Sequence, residues 1–220
     1  MTGAVRVAAL YDIHGNLPAL EAVLAEVEAD LVVVGGDVAP GPLVEECFER
    51  LGRLDVPVRW VRGNGDREEL GPELLERFEP TVEADGVLFC HGSPRSDEEM
   101  ITQITPPDRL RPMLAGVEAA LVVCGHTHHQ FELEVDGTRV VNAGSVGLPY
   151  QGDAAAFWLL LDDGHVGLRR TAYDVGPAVE LFRAIAELAE SVDASLAEPI
   201  SAQAIAEHFE QRATGRPDGL

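Results

Sequence analysis

Five short apolar runs in the first 128 residues each stop at residues able to bind a metal, and that repetition limits the folds open to the chain. Residues 4–11 (AVRVAALY) run into Asp12-Ile13-His14, and LVVV at 31–34 into Gly35-Gly36-Asp37. VPVRWV at 56–61 leads to Gly63-Asn64-Gly65-Asp66, VLFC at 87–90 to His91-Gly92, and AALVV at 119–123 to Gly125-His126-Thr127-His128. Apolar runs of this length, closed by glycine turns, read as buried strands. Helices are expected between the first of them, over 18–29, 43–53 and about 68–78. The first has Pro18 in its opening turn and Leu20, Val23, Leu24 and Val27 along one face. Strands alternating with helices build an α/β sheet, and the loops along one edge of such a sheet converge in space.

The pattern then changes. Residues 93–116, with Pro94 and Pro106-Pro107, read as a loop with a helical middle, where a substrate-selecting cap would lie. Residues 131–135 and 138–142 flank Asp136-Gly137, and 154–161 and 165–173 flank Asp163-Gly164; both are hairpin signals. Helices are expected over 177–191, with Val179, Phe182, Ile185 and Leu188 at helical spacing, and over about 199–213. No repeat or Ser/Gly-rich linker divides the chain. A single domain over residues 1–220, with two sheets flanked by helices, accounts for the pattern better than one doubly wound sheet.

Composition narrows the chemistry. All 16 basic residues are arginine, so mechanisms built on a lysine are excluded. The net charge of -22 argues against general binding to a nucleic-acid backbone, which needs cations to displace counterions. Bound metal ions would still let an acidic protein act on phosphates, because they invert the local field. Cys47, Cys90 and Cys124 are odd in number and widely spaced, so they read as core thiols rather than a disulfide framework. No apolar run is long enough to span a membrane. The apolar stretch ending at Asp12 lacks a small-residue cleavage pattern, so no signal peptide is expected, and a reducing cytoplasm is the simplest location.

Four of the seven histidines, His14, His91, His126 and His128, sit in the turns that close the apolar runs. His129 reads as their neighbour; His165 and His208 read as solvated. Carboxylates and imidazoles together suit divalent Mn, Fe, Zn or Ni. Two such ions can clamp both oxygens of an in-line displacement at phosphorus, and Asp37 is the candidate carboxylate to bridge them. Asp66 reads equally as an acceptor that orients a ligand or as a turn cap.

These blocks resemble the calcineurin-like metallophosphoesterase superfamily, whose pattern runs D-x-H, G-D, G-N-H-[D/E], H and G-H-x-H, over about residues 5 to 147. Asn142-Ala143-Gly144-Ser145-Val146-Gly147 is similar to the N-P-G-S block of its compact bacterial phosphodiesterase branch, which includes Vps29-like proteins. The resemblance implies a four-layer αββα sandwich and a hydrolase of phosphodiesters or phosphomonoesters. It implies that Asp12, His14, Asp37 and His128 hold one ion, that Asp37, Asn64, His91 and His126 hold the other, and that a bridging hydroxide attacks. Catalytic roles fall on Asp37, Asn64 and His91.

One position departs from the pattern. Gly65 stands where many members have the histidine thought to assist the leaving group, as is common in the compact branch. Arg62, Arg67 and Arg95 flank the site loops and are candidate phosphate contacts, with surface ion pairing as the competing role. The alternatives to a phosphodiesterase are a diadenosine polyphosphate hydrolase, a protein Ser/Thr phosphatase, and a non-catalytic Vps29-like scaffold.

Overall fold

The computed structural model describes residues 5–215. Residue 4, where the first strand was expected to begin, and the two ends of the expected domain lie outside them. In chain order the elements are β1 (Val7–Leu10), α1 (Leu17–Glu26), β2 (Leu31–Val34), α2 (Val44–Gly52), β3 (Val58–Trp60), α3 (Asn64–Glu69), α4 (Pro72–Leu75), β4 (Thr81–Ala84), β5 (Val87–Cys90), α5 (Pro107–Met113), β6 (Leu121–Cys124), β7 (Phe131–Val135), β8 (Thr138–Asn142), β9 (Ala156–Asp162), β10 (His165–Thr171), α6 (Gly176–Arg183), α7 (Ala189–Val192) and α8 (Ala202–Ala213).

The strands form two five-stranded sheets, β10-β9-β1-β2-β3 and β4-β5-β6-β8-β7. Both are mixed: β1, β2 and β3 run parallel, with β9 antiparallel to β1, while β5, β6 and β8 run parallel, with β4 and β7 antiparallel at the edges. Each hairpin of the second half therefore completes a different sheet.

Strand alternation sorts the side chains into layers. On β1, Val7 and Ala9 point between the sheets, where they pack with Val33, Phe89, Val123 and Leu159. Ala8 and Leu10 point outward beneath α1 and α2, against Leu20, Val23, Cys47 and Leu51. The outer face of the second sheet packs Cys90 and Val122 against Leu110 and Met113 of α5. The result is helix, sheet, sheet, helix, the four-layer α/β sandwich. Strands covered on both faces explain why their sequences read as continuous apolar runs. All three cysteines are buried and free. Among the described residues no helix is long and apolar enough to cross a membrane.

Three expectations need correction. The helix over about 68–78 is two short ones, because Leu70 turns extended after the first and Gly71-Pro72 cap and open the second. Strand β4 went unread; only Val82 of its four residues is buried, so it carries little apolar signal. The helix over 177–191 breaks after Arg183, with Ile185 in an extended conformation. An i, i+3 series drifts around a helix at about 100° per residue. An unbroken helix would point Val179 and Leu188 in opposite directions; the break lets both reach the core patch around Phe182 and Leu148.

Candidate metal centre

The turns after β1, β2, β5 and β6 and the start of α3 gather at one edge of the sandwich. Asp12, His14, Asp37, His126 and His128 all have left-handed backbones, with φ of 51°, 49°, 53°, 64° and 55°. Such angles are uncommon for residues with side chains, and they persist where surrounding bonds fix them. Here Asp12 N–H donates to Gly36 O at 3.0 Å, His14 N–H to Asp37 O at 3.0 Å, and Gly125 N–H to His91 O at 2.9 Å. The His126 N–H donates to Asp12 Oδ2 at 3.0 Å, linking the turn after β1 to the turn after β6.

Two sets of three donors result: Asp12 with His14 and His128, and Asp37 with His91 and His126, the ligand atoms of each set lying within 4.8 Å of one another. Backbone carbonyls fix the imidazole tautomers. Carbonyls only accept, so Nδ1 of His14 donates to Pro40 O (3.1 Å), that of His91 to Gly35 O (3.0 Å) and that of His128 to Leu148 O (2.7 Å). In its neutral form each ring then turns an Nε2 lone pair toward the centre. His14 Nε2 and His128 Nε2 lie 3.3 Å apart, and Asp12 Oδ1 lies 3.3 Å from the latter. Asp12 Oδ1 and His126 Nε2 are buried with no hydrogen-bond partner. Lone pairs converging with no donor between them fit a cation, and the donor chemistry fits a borderline transition ion. Asn64 Oδ1 adjoins the second set, 3.2 Å from His91 Nε2.

The electrostatics agree. Burial opposes ionisation of Asp12 and Asp37, yet His128 beside the one and His91 beside the other hold both below the usual carboxylate range. Burial would also lower His91, but the Asp37 carboxylate, 3.5 Å away, overrides it and raises the imidazole to about 10. His126 is pushed down to about 4, first by burial and then by His91. A field of this kind draws positive charge, whether a proton or a metal ion.

The surroundings hold the donors in place. The Asp66 carboxylate accepts from the N–H groups of Asp37 (2.8 Å), Val38 (2.9 Å), Ala39 (3.1 Å) and Gly63 (3.1 Å). It thus braces the loop carrying Asp37 and caps α3, performing both roles considered from sequence. Asn142 Nδ2 donates to Gly125 O at 2.6 Å and Ser145 Oγ to Asp12 O at 2.8 Å, so the Asn142–Ser145 block supports two of the turns. At Gly65, a Cβ would overlap the Ala39 carbonyl oxygen and approach Pro40 Cδ at 2.9 Å. The position that carries histidine elsewhere is closed here by the 39–40 backbone.

The three candidate arginines face carboxylates. Arg67 binds Asp97 and Glu98 (3.1 and 2.6 Å), and Arg95 binds Glu99. Arg62 approaches Asp97 at 3.9 Å, and its Nε has no hydrogen-bond partner. His129 is buried beside Phe131 and lies outside both donor sets; burial lowers it to about 4. His165 is exposed, as expected, whereas His208 is half-buried and lines a cleft. Sequence reasoning missed Tyr150, whose ring stacks on His128 at 5.2 Å and 14°. An aromatic residue 22 positions downstream gave no local signal.

A family model for the calcineurin-like phosphoesterase superfamily domain matches residues 5–163. Phosphodiesterase YfcE of Escherichia coli is 30% identical over 171 residues, covering 69% of this chain and 85% of that protein. A metallophosphoesterase from Sphaerobacter thermophilus superposes with a TM-score of 0.75 at 24% identity, over 90% of this chain and 100% of its own. Zinc-complexed Vps29 from Entamoeba histolytica superposes at 0.52 with 19% identity, over 76% and 98%.

Proposed function

The chain belongs to the calcineurin-like phosphoesterase superfamily, a group of metal-dependent phosphoester hydrolases, and on that premise we propose that it is a dinuclear phosphodiesterase. In this reading Asp12, His14, Asp37 and His128 hold one divalent ion. Asp37, Asn64, His91 and His126 hold the other, with Asp37 shared. The observation that carries it is the convergence of imidazole Nε2 atoms and carboxylate oxygens at two adjacent points. Ions held there would lower the pKa of a water toward about 7 and offset the charge of a bound phosphate.

The chain's own residues supply order. The Pro40, Gly35 and Leu148 carbonyls keep three imidazoles turned toward the centre, and Asp66 holds the Asp37 loop. Arg62, whose Nε lies 3.9 Å from Asp97 without a hydrogen bond, is the candidate among the three arginines to turn toward a phosphate oxygen. A net charge of -22 disfavours dianionic monoesters relative to singly charged diesters. With Gly65 in place of a proton donor, the departing oxygen must carry its own charge, so acidic leaving groups are favoured.

The test combines elemental analysis with hydrolysis of bis(4-nitrophenyl) phosphate and 4-nitrophenyl phosphate. Two divalent ions per chain and a chelator-sensitive preference for the diester are expected. Activity that survives exhaustive chelation would refute the reading.

A further inference from the structure

A cleft of about 520 Å³ lies between α8 and the segment around α7. One wall is Tyr150, whose ring also stacks on His128 of the donor set. The connection is also hydrogen-bonded: Tyr150 N–H donates to His128 O at 2.9 Å, and Leu148, whose carbonyl accepts from His128 Nδ1, packs with Phe182, Leu188 and Val192. The second wall is α8, which places Phe209 against Tyr150 at 6.3 Å and 58°, with Ile205 beside it. Helix α8 is fixed from behind, where Glu210 accepts from Thr102, Thr105 and Arg109. The expected cap over 93–116 therefore anchors α8, and the C-terminal helices form the wall. These helices start at Gly176, beyond the residues 5–163 that the family model matches.

The lining indicates what fits. Tyr150, Phe209, Ile200 and Ile205 offer flat and aliphatic surface, which suits a ring better than a solvated polar chain. The charged groups are two carboxylates, Glu187 and Glu190, against one guanidinium, Arg212, a balance unfavourable to a second phosphate. Carboxylates accept from N–H donors, which the amino groups of a nucleobase provide. The volume suits one small molecule.

We propose that this cleft is the subsite for a nucleoside ester group of the substrate, with Tyr150 and Phe209 as the contacts for the base and Glu187 and Glu190 as acceptors for the N–H donors of its amino group. The proposal rests on the phosphodiesterase reading for its place in the reaction, but binding tests it separately.

The probe is adenosine, titrated calorimetrically into the full chain with and without added Mn²⁺. Saturable binding in both conditions is expected, weakened about tenfold by Phe209→Ala, within the range for loss of a base-stacking aromatic ring. Kinetics then compare the hexafluoroisopropyl esters of AMP and of ethyl phosphate, which share an acidic, non-aromatic leaving group, by fluorine NMR. A KM about tenfold lower for the nucleoside ester is expected, and Phe209→Leu, which keeps the bulk and removes the ring, should narrow that gap. Absence of adenosine binding in the parent chain, or a gap that survives both Phe209 substitutions in folded protein, overturns the subsite. If adenosine binds but neither ester is cleaved, the subsite stands and the phosphodiesterase reading fails.

Discussion

His14 Nε2 and His128 Nε2 face each other across 3.3 Å, each ring having committed its other nitrogen to a backbone carbonyl. Neither neutral ring can donate to the other, so the pair is stable only with positive charge between or beside them. On the proposed assignment their ion also binds Asp37. Asp37→Asn should therefore lose both ions and hydrolysis, whereas His128→Ala should weaken chiefly the one. Elemental analysis of the purified variants decides it; two ions and full activity in the Asp37 variant would sink the bridging role.

The left-handed backbone at His126, with φ of 64°, gives a second prediction. A side chain costs roughly 1–2 kcal/mol in that region, and glycine costs little there, though it loses more freedom on folding. In metal-free protein, His126→Gly should be about 1 kcal/mol more stable than His126→Ala. Denaturant midpoints measure the difference. Equal midpoints would mean that the turn relaxes once the imidazole is gone.

Asp66 has four N–H donors aimed at two oxygens. In Asp66→Asn an amide NH2 must face two of them. Leaving buried donors unsatisfied should cost on the order of 2–3 kcal/mol, and because Asp37 N–H is among them, metal affinity should fall too. The check pairs a urea titration with a competitive chelator titration. A variant that loses stability but binds metal as tightly as the parent would limit Asp66 to capping α3.

Gly65→His should not create a proton donor. Its Cβ would collide with the Ala39 carbonyl, and overpacking of this kind costs about 1–3 kcal/mol. A lower melting temperature and no gain on alkyl phosphodiesters are expected. In the parent chain, a series of aryl esters should show rates rising steeply with leaving-group acidity. A flat series, with chemistry rate-limiting, would require another proton donor.

Much of this site was legible because doubly covered strands must be apolar and must end in polar turns, which set Asp12, Asp37, His91 and His126 apart from their neighbours. The hairpins at Asp136-Gly137 and Asp163-Gly164 were equally plain, since each aspartate takes the positive φ that such turns need. Long-range relations were hidden. Nothing local reveals that Tyr150 covers His128, that Glu210 reaches Thr102, or that Ala39 fills the space beside Gly65. The break after Arg183 was visible in principle as angular drift along the Val179–Leu188 series.

Neither donor set belongs to a single sheet. Asp12, His14 and Asp37 follow strands of one sheet, and His91, His126 and His128 follow strands of the other, so each set of three straddles the seam. An ion at either point would act as a rivet through both sheets, and its removal would leave the facing Nε2 atoms of His14 and His128 opposed across the seam. Catalytic readiness and mechanical cohesion would then share one variable, the free concentration of the ion. At 100 times its dissociation constant a single bound ion adds about 2.7 kcal/mol to the folded state. A chain starved of metal would lose its grip on its own architecture along the same edge where it meets its substrate.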